Sequence, residues 1–172
     1  MKSPTAAELI KYLRLEPLTF EGGQFRQTYS AQESIPAEAL PTRYGAPRVM
    51  GTAIYYLLTD DADSFSALHR LQTDEIYHFY LGDPVEMLLL YPGGRGESVI
   101  LGPNVLGGEH VQFVIPSRVW QGSRLMNGGH FALMGTTMAP GFHFADWMEG
   151  KGAELLREYP EHGQLIRALT RY

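Results

Sequence analysis

Cysteine is absent from the 172 residues. Disulfides and thiolate chemistry are therefore excluded, and a reducing compartment, the cytoplasm, is the expectation. No apolar run reaches the ~18 residues that a spanning helix needs, and Met1-Lys-Ser-Pro4 carries no apolar signal region. Positive charge is sparse: 14 Lys and Arg stand against 19 Asp and Glu, for a net charge of −5. No basic cluster occurs, which argues against a nucleic-acid backbone as partner. Internal repeats and low-complexity tracts are lacking as well.

What is present is a chain of short segments that alternate, punctuated by turns. The length predicts a single domain over 1–172. Thr5-Ala-Ala-Glu8 reads as a capping box, with Ser3-Pro4 as a competing start, and Leu9, Ile10 and Leu13 form one helical stripe. Glu16-Pro17 stops this helix, which is expected to pack on the outside of the sheets. Glu21-Gly-Gly23 is a turn. Gln24–Ser30 is a strand that sets Gln24, Arg26, Thr28 and Ser30 against Phe25, Gln27 and Tyr29. Residues 31–48 have no clear period and read as a loop or flap. Strands are then predicted at 52–59, 64–71, 75–81, 85–91, 97–101, 111–115, 120–125 and 131–138. No helix interrupts them, which disfavours a parallel α/β sheet and points to an all-β sandwich or barrel. After Lys151 the period changes, and Pro160 divides two short C-terminal helices. Gly22-Gly23 and Gly128-Gly129 precede no helix as a phosphate loop would, and are turns.

The chain is organised around Ser66–Gly82. His69 and Glu75 flank a turn-like Thr73-Asp74. Beyond it, Glu75, Tyr77 and Phe79 share one strand face, with Ile76, His78 and Tyr80 on the other. Gly82-Asp83-Pro84 ends the strand.

These residues resemble the first cupin motif, His-x-His-x₃₋₄-Glu-x₆-Gly, with His69, Glu75 and Gly82 in place and Leu71 where the second histidine belongs. Pro116-Ser-Arg-Val-Trp-Gln121 is similar to the second motif, Pro-x-Gly-x-x-His, with Arg118 for the glycine and Gln121 for the histidine. Gly22-Gly-Gln-Phe-Arg-Gln-Thr-Tyr29, His69-Arg-Leu-x-x-Asp-Glu-x-x-His-Phe79 and Ala139-Pro-Gly-Phe-x-Phe-Ala-Asp146 resemble the small, uncharacterised cupin-5 branch from about Leu9 to Arg171. The resemblance implies a cupin jelly roll (double-stranded β-helix) with short N- and C-terminal helices, generally a homodimer, around a pocket for a small molecule.

The candidate residues each carry a plain alternative. His69 is either a hydrogen-bonded structural histidine or, in the cupin register, a general base facing inward. Glu75 is an exposed strand-start charge or a buried carboxylate orienting His69. Tyr77 and Phe79 are packing residues or pocket walls, Tyr77 also a possible acid. Gln121 satisfies buried backbone or fixes a ligand carbonyl or hydroxyl; Trp120 is core. Arg26 would clamp a carboxylate or phosphate, with Thr28 beside it on the strand, and His143 and Asp146 lie in the late family-like segment. By analogy with the similar dTDP-sugar epimerases, the expectation is a metal-independent epimerase, isomerase or dehydratase-like enzyme on a sugar or keto compound. The alternatives are a binding module without chemistry and a divergent metal enzyme. No cofactor is expected; a divalent metal, if present, would sit on His69, Glu75 and Gln121, a set poor in imidazole.

Overall fold

A computed structural model describes residues 3–171; Met1 and Lys2 of the signal-region reading and Tyr172 of the last segment lie outside the described residues. Helix α1 (Ala6–Leu13) starts as its sequence dictates. The Thr5 hydroxyl accepts from the Glu8 amide while Glu8 Oε2 accepts from the Thr5 amide at 2.8 Å, which satisfies orphan donors at both positions. Arg14, in the left-handed conformation, closes it.

The strands follow as β1 (Glu16–Pro17), β2 (Gln24–Ser30), β3 (Ser34–Ile35), β4 (Arg48–Val49), β5 (Thr52–Thr59), β6 (Ser66–Arg70), β7 (Glu75–Gly82), β8 (Val85–Leu90), β9 (Gly96–Leu101), β10 (Gln112–Ile115), β11 (Trp120–Leu125), β12 (Phe131–Met138) and β13 (Met148–Glu149). Helices α2 (Gly152–Glu158) and α3 (Gly163–Ala168) end the chain, with a 3-10 turn at Pro160–His162 between them. Residues 31–48 are not a bare loop: they hold β3, two 3-10 turns and the start of β4. The two-residue strands β1, β3, β4 and β13 are too short to show a period, and the sequence did not predict them.

Two sheets face each other as a jelly-roll sandwich rather than a closed barrel. One has the order β1-β2-β5-β12-β7-β10, the other β13-β6-β11-β8-β9, and all their pairings are antiparallel. Between them lies an apolar core drawn from both, including Leu58, Phe79, Met87, Leu89 and Met134. The outer faces are covered at opposite ends. Leu9 and Leu15 seat α1 on Leu57 and Leu133 of the first sheet, and Leu155, Tyr159, Ile166 and Leu169 seat the C-terminal helices on Leu68, Leu88 and Leu90 of the second.

Two backbone positions fix the framework of the site. Gly82 has φ +108°, and a Cβ there would collide with the Phe131 carbonyl, so the end of β7 requires glycine. Arg118 takes φ +67°, the conformation for which the second cupin motif carries glycine. Its amide donates to the Leu71 carbonyl at 2.8 Å, which ties that turn to the end of β6.

Candidate functional site

The interior is not packed throughout. At the end nearest the β6–β7 crossover the sheets enclose a cavity of about 630 Å³ that opens to solvent. His69 enters from β6 and Glu75 and Tyr77 from β7, so the crossover brings groups of the two sheets face to face. The turn between them is held by its own side chains. Asp74 Oδ1 accepts from the Ser117 amide at 2.7 Å, and the Thr73 and Tyr44 hydroxyls meet at 2.9 Å.

His69 is almost fully buried, at 1% exposure. Its Nδ1 lies 2.8 Å from the Ala67 carbonyl, and since a carbonyl only accepts, Nδ1 carries the proton. Nε2 of the neutral ring is then left as the basic nitrogen. The carboxylate beside it is Glu21, whose Oε2 stands 3.7 Å from Nε2 and whose Oε1 accepts from the Ser66 hydroxyl at 2.8 Å. Sequence reasoning missed Glu21 because it read as part of the turn that ends in Gly22-Gly23. The Ala67 amide donates to the Glu21 carbonyl at 2.9 Å, which fixes the loop against β6.

Glu75 was expected to orient His69. Instead the Ala67 carbonyl does so, and Glu75 turns to Gln121, whose Nε2 donates to Oε2 at 2.7 Å. Burial pushes the Glu75 carboxyl above the ordinary carboxylate range; His69 opposes this and the Glu21 charge reinforces it. Burial, with the Glu75 and Glu21 charges, also holds the Tyr77 phenol well above its usual value, so it remains a neutral donor. Thr136 of β12 completes this polar end.

The other sequence candidates lie elsewhere. Gln121 pairs with His69 across β11 and β6 but stands behind Glu75, buried, and does not line the cavity. Phe79 belongs to the apolar core. Thr28 is exposed and donates to the Ala53 carbonyl at 3.1 Å. Arg26 touches the cavity wall, yet its register partner is Tyr55, and its guanidinium lies 5.6 Å from the centre of that ring. Phe25 pairs with Tyr56 on the opposite, inward face, so Arg26 reaches the cavity only at its wall, with its Nε buried and without a hydrogen-bond partner among the described residues.

Asp146 is no ligand contact either. It accepts from Arg48 Nε at 2.7 Å and from Nη2 at 2.6 Å, with both side chains buried. Arg48 also donates to the carbonyls of Tyr44, Ala46 and Pro47. His143 is exposed, and its Nδ1 accepts from the Ala145 amide at 3.1 Å, capping the 3-10 turn Phe144–Asp146. Both residues therefore build the segment that forms the cavity's lip. That lip is aromatic: the Phe144 ring packs on Phe20 and Phe142 with centroids 5.1 and 5.2 Å apart.

A metal does not fit this donor set. Among the described residues, no three His, Cys, Asp or Glu side chains are grouped so as to hold a metal ion. The Gln121 amide nitrogen is directed at Glu75, and Leu71 stands where the cupin motif carries its second histidine.

An uncharacterised protein of Saccharomyces cerevisiae is 30% identical over 146 residues, spanning 80% of this chain and 71% of that one. Two solved structures superpose along nearly the whole chain. A hypothetical protein from Leishmania major gives a TM-score of 0.86 at 27% identity, covering 98% of this chain and all (100%) of the other. A protein from Shewanella oneidensis gives 0.84 at 31% identity, covering 98% and 99%. The family model described as Cupin superfamily (DUF985) matches residues 7–149, and with most of its length inside that match the chain belongs to this cupin family.

Proposed function

We propose that the cavity is the active site of a metal-independent isomerase, epimerase or lyase-type enzyme that removes a proton next to the carbonyl of a small metabolite. The observation that carries this reading is the fixed tautomer of His69. Nδ1–H is committed to the Ala67 carbonyl, so Nε2 is the base, and Glu21 at 3.7 Å stabilises the imidazolium formed on proton transfer. The electron pair released from the C–H bond moves onto the carbonyl oxygen. Glu75, whose protonated form burial favours, and the neutral Tyr77 phenol are the donors for that oxygen. Return of a proton to the other face gives epimerisation, return to a neighbouring carbon gives isomerisation, and loss of a β-hydroxyl gives dehydration.

The test does not require the product to be known. A panel of sugars and keto compounds is screened by thermal shift, and the hits are incubated with the protein in D₂O. Proton abstraction replaces the α-hydrogen with deuterium, which NMR detects. His69→Asn should slow this exchange by ~10²–10⁴-fold. Exchange that survives in His69→Asn would remove the base assignment. A ligand that binds tightly and never exchanges would make the cavity a binding site without chemistry.

A further inference from the structure

The chemical class of the ligand can be read from the two ends of the cavity. At the inner end the polar groups are Glu21, Glu75, His69, the Tyr77 phenol and the Thr136 hydroxyl, with no arginine or lysine among them. Of the lining arginines, Arg14 is exposed at the C-terminus of α1, and the guanidinium of Arg26 lies over Tyr55, its partner in the β2–β5 register. A carboxylate or phosphate driven to the inner end would meet the Glu21 charge in a poorly solvated space, which is strongly unfavourable. A neutral carbonyl or hydroxyl would meet donors and acceptors of the right kind.

The outer end has the opposite character. Phe20, Phe142 and Phe144 form the lip, and Phe25 and Ile54 continue it inward. Phe144 is 65% exposed although it is a large apolar residue. It is nonetheless held in place, edge-on to Phe20 and to Phe142. Phe20 in turn packs edge-on against Trp147 at 5.2 Å, and Trp147 stacks on the His69 ring with an interplanar angle of 22°. A chain of rings thus runs from the mouth to the base. The Arg48–Asp146 pair fixes the lip segment from beneath. An exposed apolar surface, rigidly mounted at the rim of a cavity, marks a contact site for an apolar ligand surface, and ring faces and edges favour a flat partner.

We infer that the ligand is a carbonyl or hydroxyl compound with no negative charge at its inner end and with a flat, aromatic or conjugated body, bound with its oxygen at His69 and Glu75 and its ring against Phe20, Phe142 and Phe144. This rests on the cavity being the active site and narrows its substrate from sugars and keto compounds in general to aryl or conjugated ones. An acid group is tolerated only at the mouth, pointing to solvent.

The test uses the full chain and three probes of similar size: acetophenone, cyclohexyl methyl ketone and benzoate. Dissociation constants are measured by ligand-observed NMR. Acetophenone should bind, and cyclohexyl methyl ketone should bind more weakly. Benzoate should be weaker than acetophenone by about tenfold or more, from repulsion by Glu21. Phe144→Leu should weaken acetophenone binding by roughly threefold to tenfold, the size of an aromatic pair beyond its area burial. Phe144→Tyr should restore it. The lip position is exposed, so both variants are expected to fold, and unchanged circular dichroism checks this. Benzoate binding as tightly as acetophenone overturns the inference, as does equal affinity in Phe144→Leu or the failure of acetophenone to bind. The two readings fail separately. A non-planar sugar that exchanges deuterium in a His69-dependent way removes the aromatic class and leaves proton abstraction standing. Phe144-dependent acetophenone binding, with no exchange of its methyl protons in D₂O, leaves the ligand class and removes the base.

Discussion

Three strands run through both halves of the interior, and their inward residues change character along the way. On β7 the inward series is Glu75, Tyr77, Phe79; on β12 it is Met138, Thr136, Met134, Ala132; on β5 it is Thr52, Ile54, Tyr56, Leu58. At one end these strands meet Val85, Met87, Leu89 and Leu101 of the second sheet, and the space is filled. At the other they meet His69 and the Glu21 loop, and about 630 Å³ stays open. The β5–β12 pairing runs unbroken through both halves, with a register shift between β12 and β7 only at Leu133/Met134, so the difference between the halves lies mainly in the side chains. The filled end supplies apolar burial, at about 25 cal/mol per Å². The open end holds a carboxyl group pushed upward by burial and a histidine with a fixed tautomer. Stability and chemistry are thus assigned to opposite ends of the same strands, and substitutions at each end should show different signatures.

The largest expected loss lies at the boundary, in the clasp that holds the lip. Asp146→Ala leaves the Arg48 guanidinium buried and unpaired, and should cost about 3–5 kcal/mol in urea unfolding. A loss under 1 kcal/mol would mean that the lip segment does not depend on this pair. At the filled end, Leu89→Ala removes a fully buried side chain at 0% exposure. It should cost about 2–5 kcal/mol while leaving ligand affinity unchanged. A changed affinity would show that the two ends are coupled and would break the comparison.

How much of this was legible in the sequence depended on whether the determining contact was local. The capping box, the strands between Thr52 and Met138 and the break at Pro160 follow from neighbouring residues, and they were readable. So was the pair of His69 and Glu75, because motif spacing encodes the crossover between the sheets. Glu21 was not readable: the residues that make it functional, His69 and Ser66, are remote in sequence and reach it only through the fold. Arg26 was placed at the cavity wall, but its stacking on Tyr55 could not be read, because side-chain alternation gives two faces without saying what covers each. That is decided by pairing with β5, and a register shift between Gln27 and Tyr29 ends the strict alternation that the sequence suggested. Asp146 was recognised as part of a family-like segment, but its partner Arg48 lay in a stretch that showed no period.

At the open end the stability effects should be small. His69→Asn gives up the hydrogen bond to Ala67, or replaces it with an amide donor, and should cost about 1 kcal/mol or less. This is well below the Leu89→Ala loss, although its effect on deuterium exchange is by far the larger of the two. Unfolding of His69→Asn as severe as that of Leu89→Ala would make His69 a structural residue and remove the distinction between the ends.

The smallest effect in acid, and the most diagnostic in its pH dependence, is expected of Glu75→Gln. Burial raises the folded-state pKa of Glu75 above its ordinary 4.5, so between the unfolded and folded values the native protein holds a proton that the unfolded chain has released. Where the native state binds more protons, stability falls as pH rises. Glu75 therefore withdraws stability across a window that opens near the ordinary carboxylate pKa and closes above the folded one, at a slope of at most about 1.4 kcal/mol per pH unit. Below that window both states are protonated, and an amide in place of a carboxylic acid should change stability little, since the new side-chain carbonyl still accepts from Gln121 Nε2. Above it the wild type bears a buried charge and the variant does not. The difference in unfolding free energy, Glu75→Gln minus wild type, should thus start near zero in acid, rise with pH and level off. The rest of the site is common to both proteins, so the difference isolates Glu75 and its coupling to its neighbours. A flat difference, or one that falls with pH, would mean that the fold does not raise the Glu75 pKa, and the support for a carboxyl donor to the substrate oxygen would be lost with it.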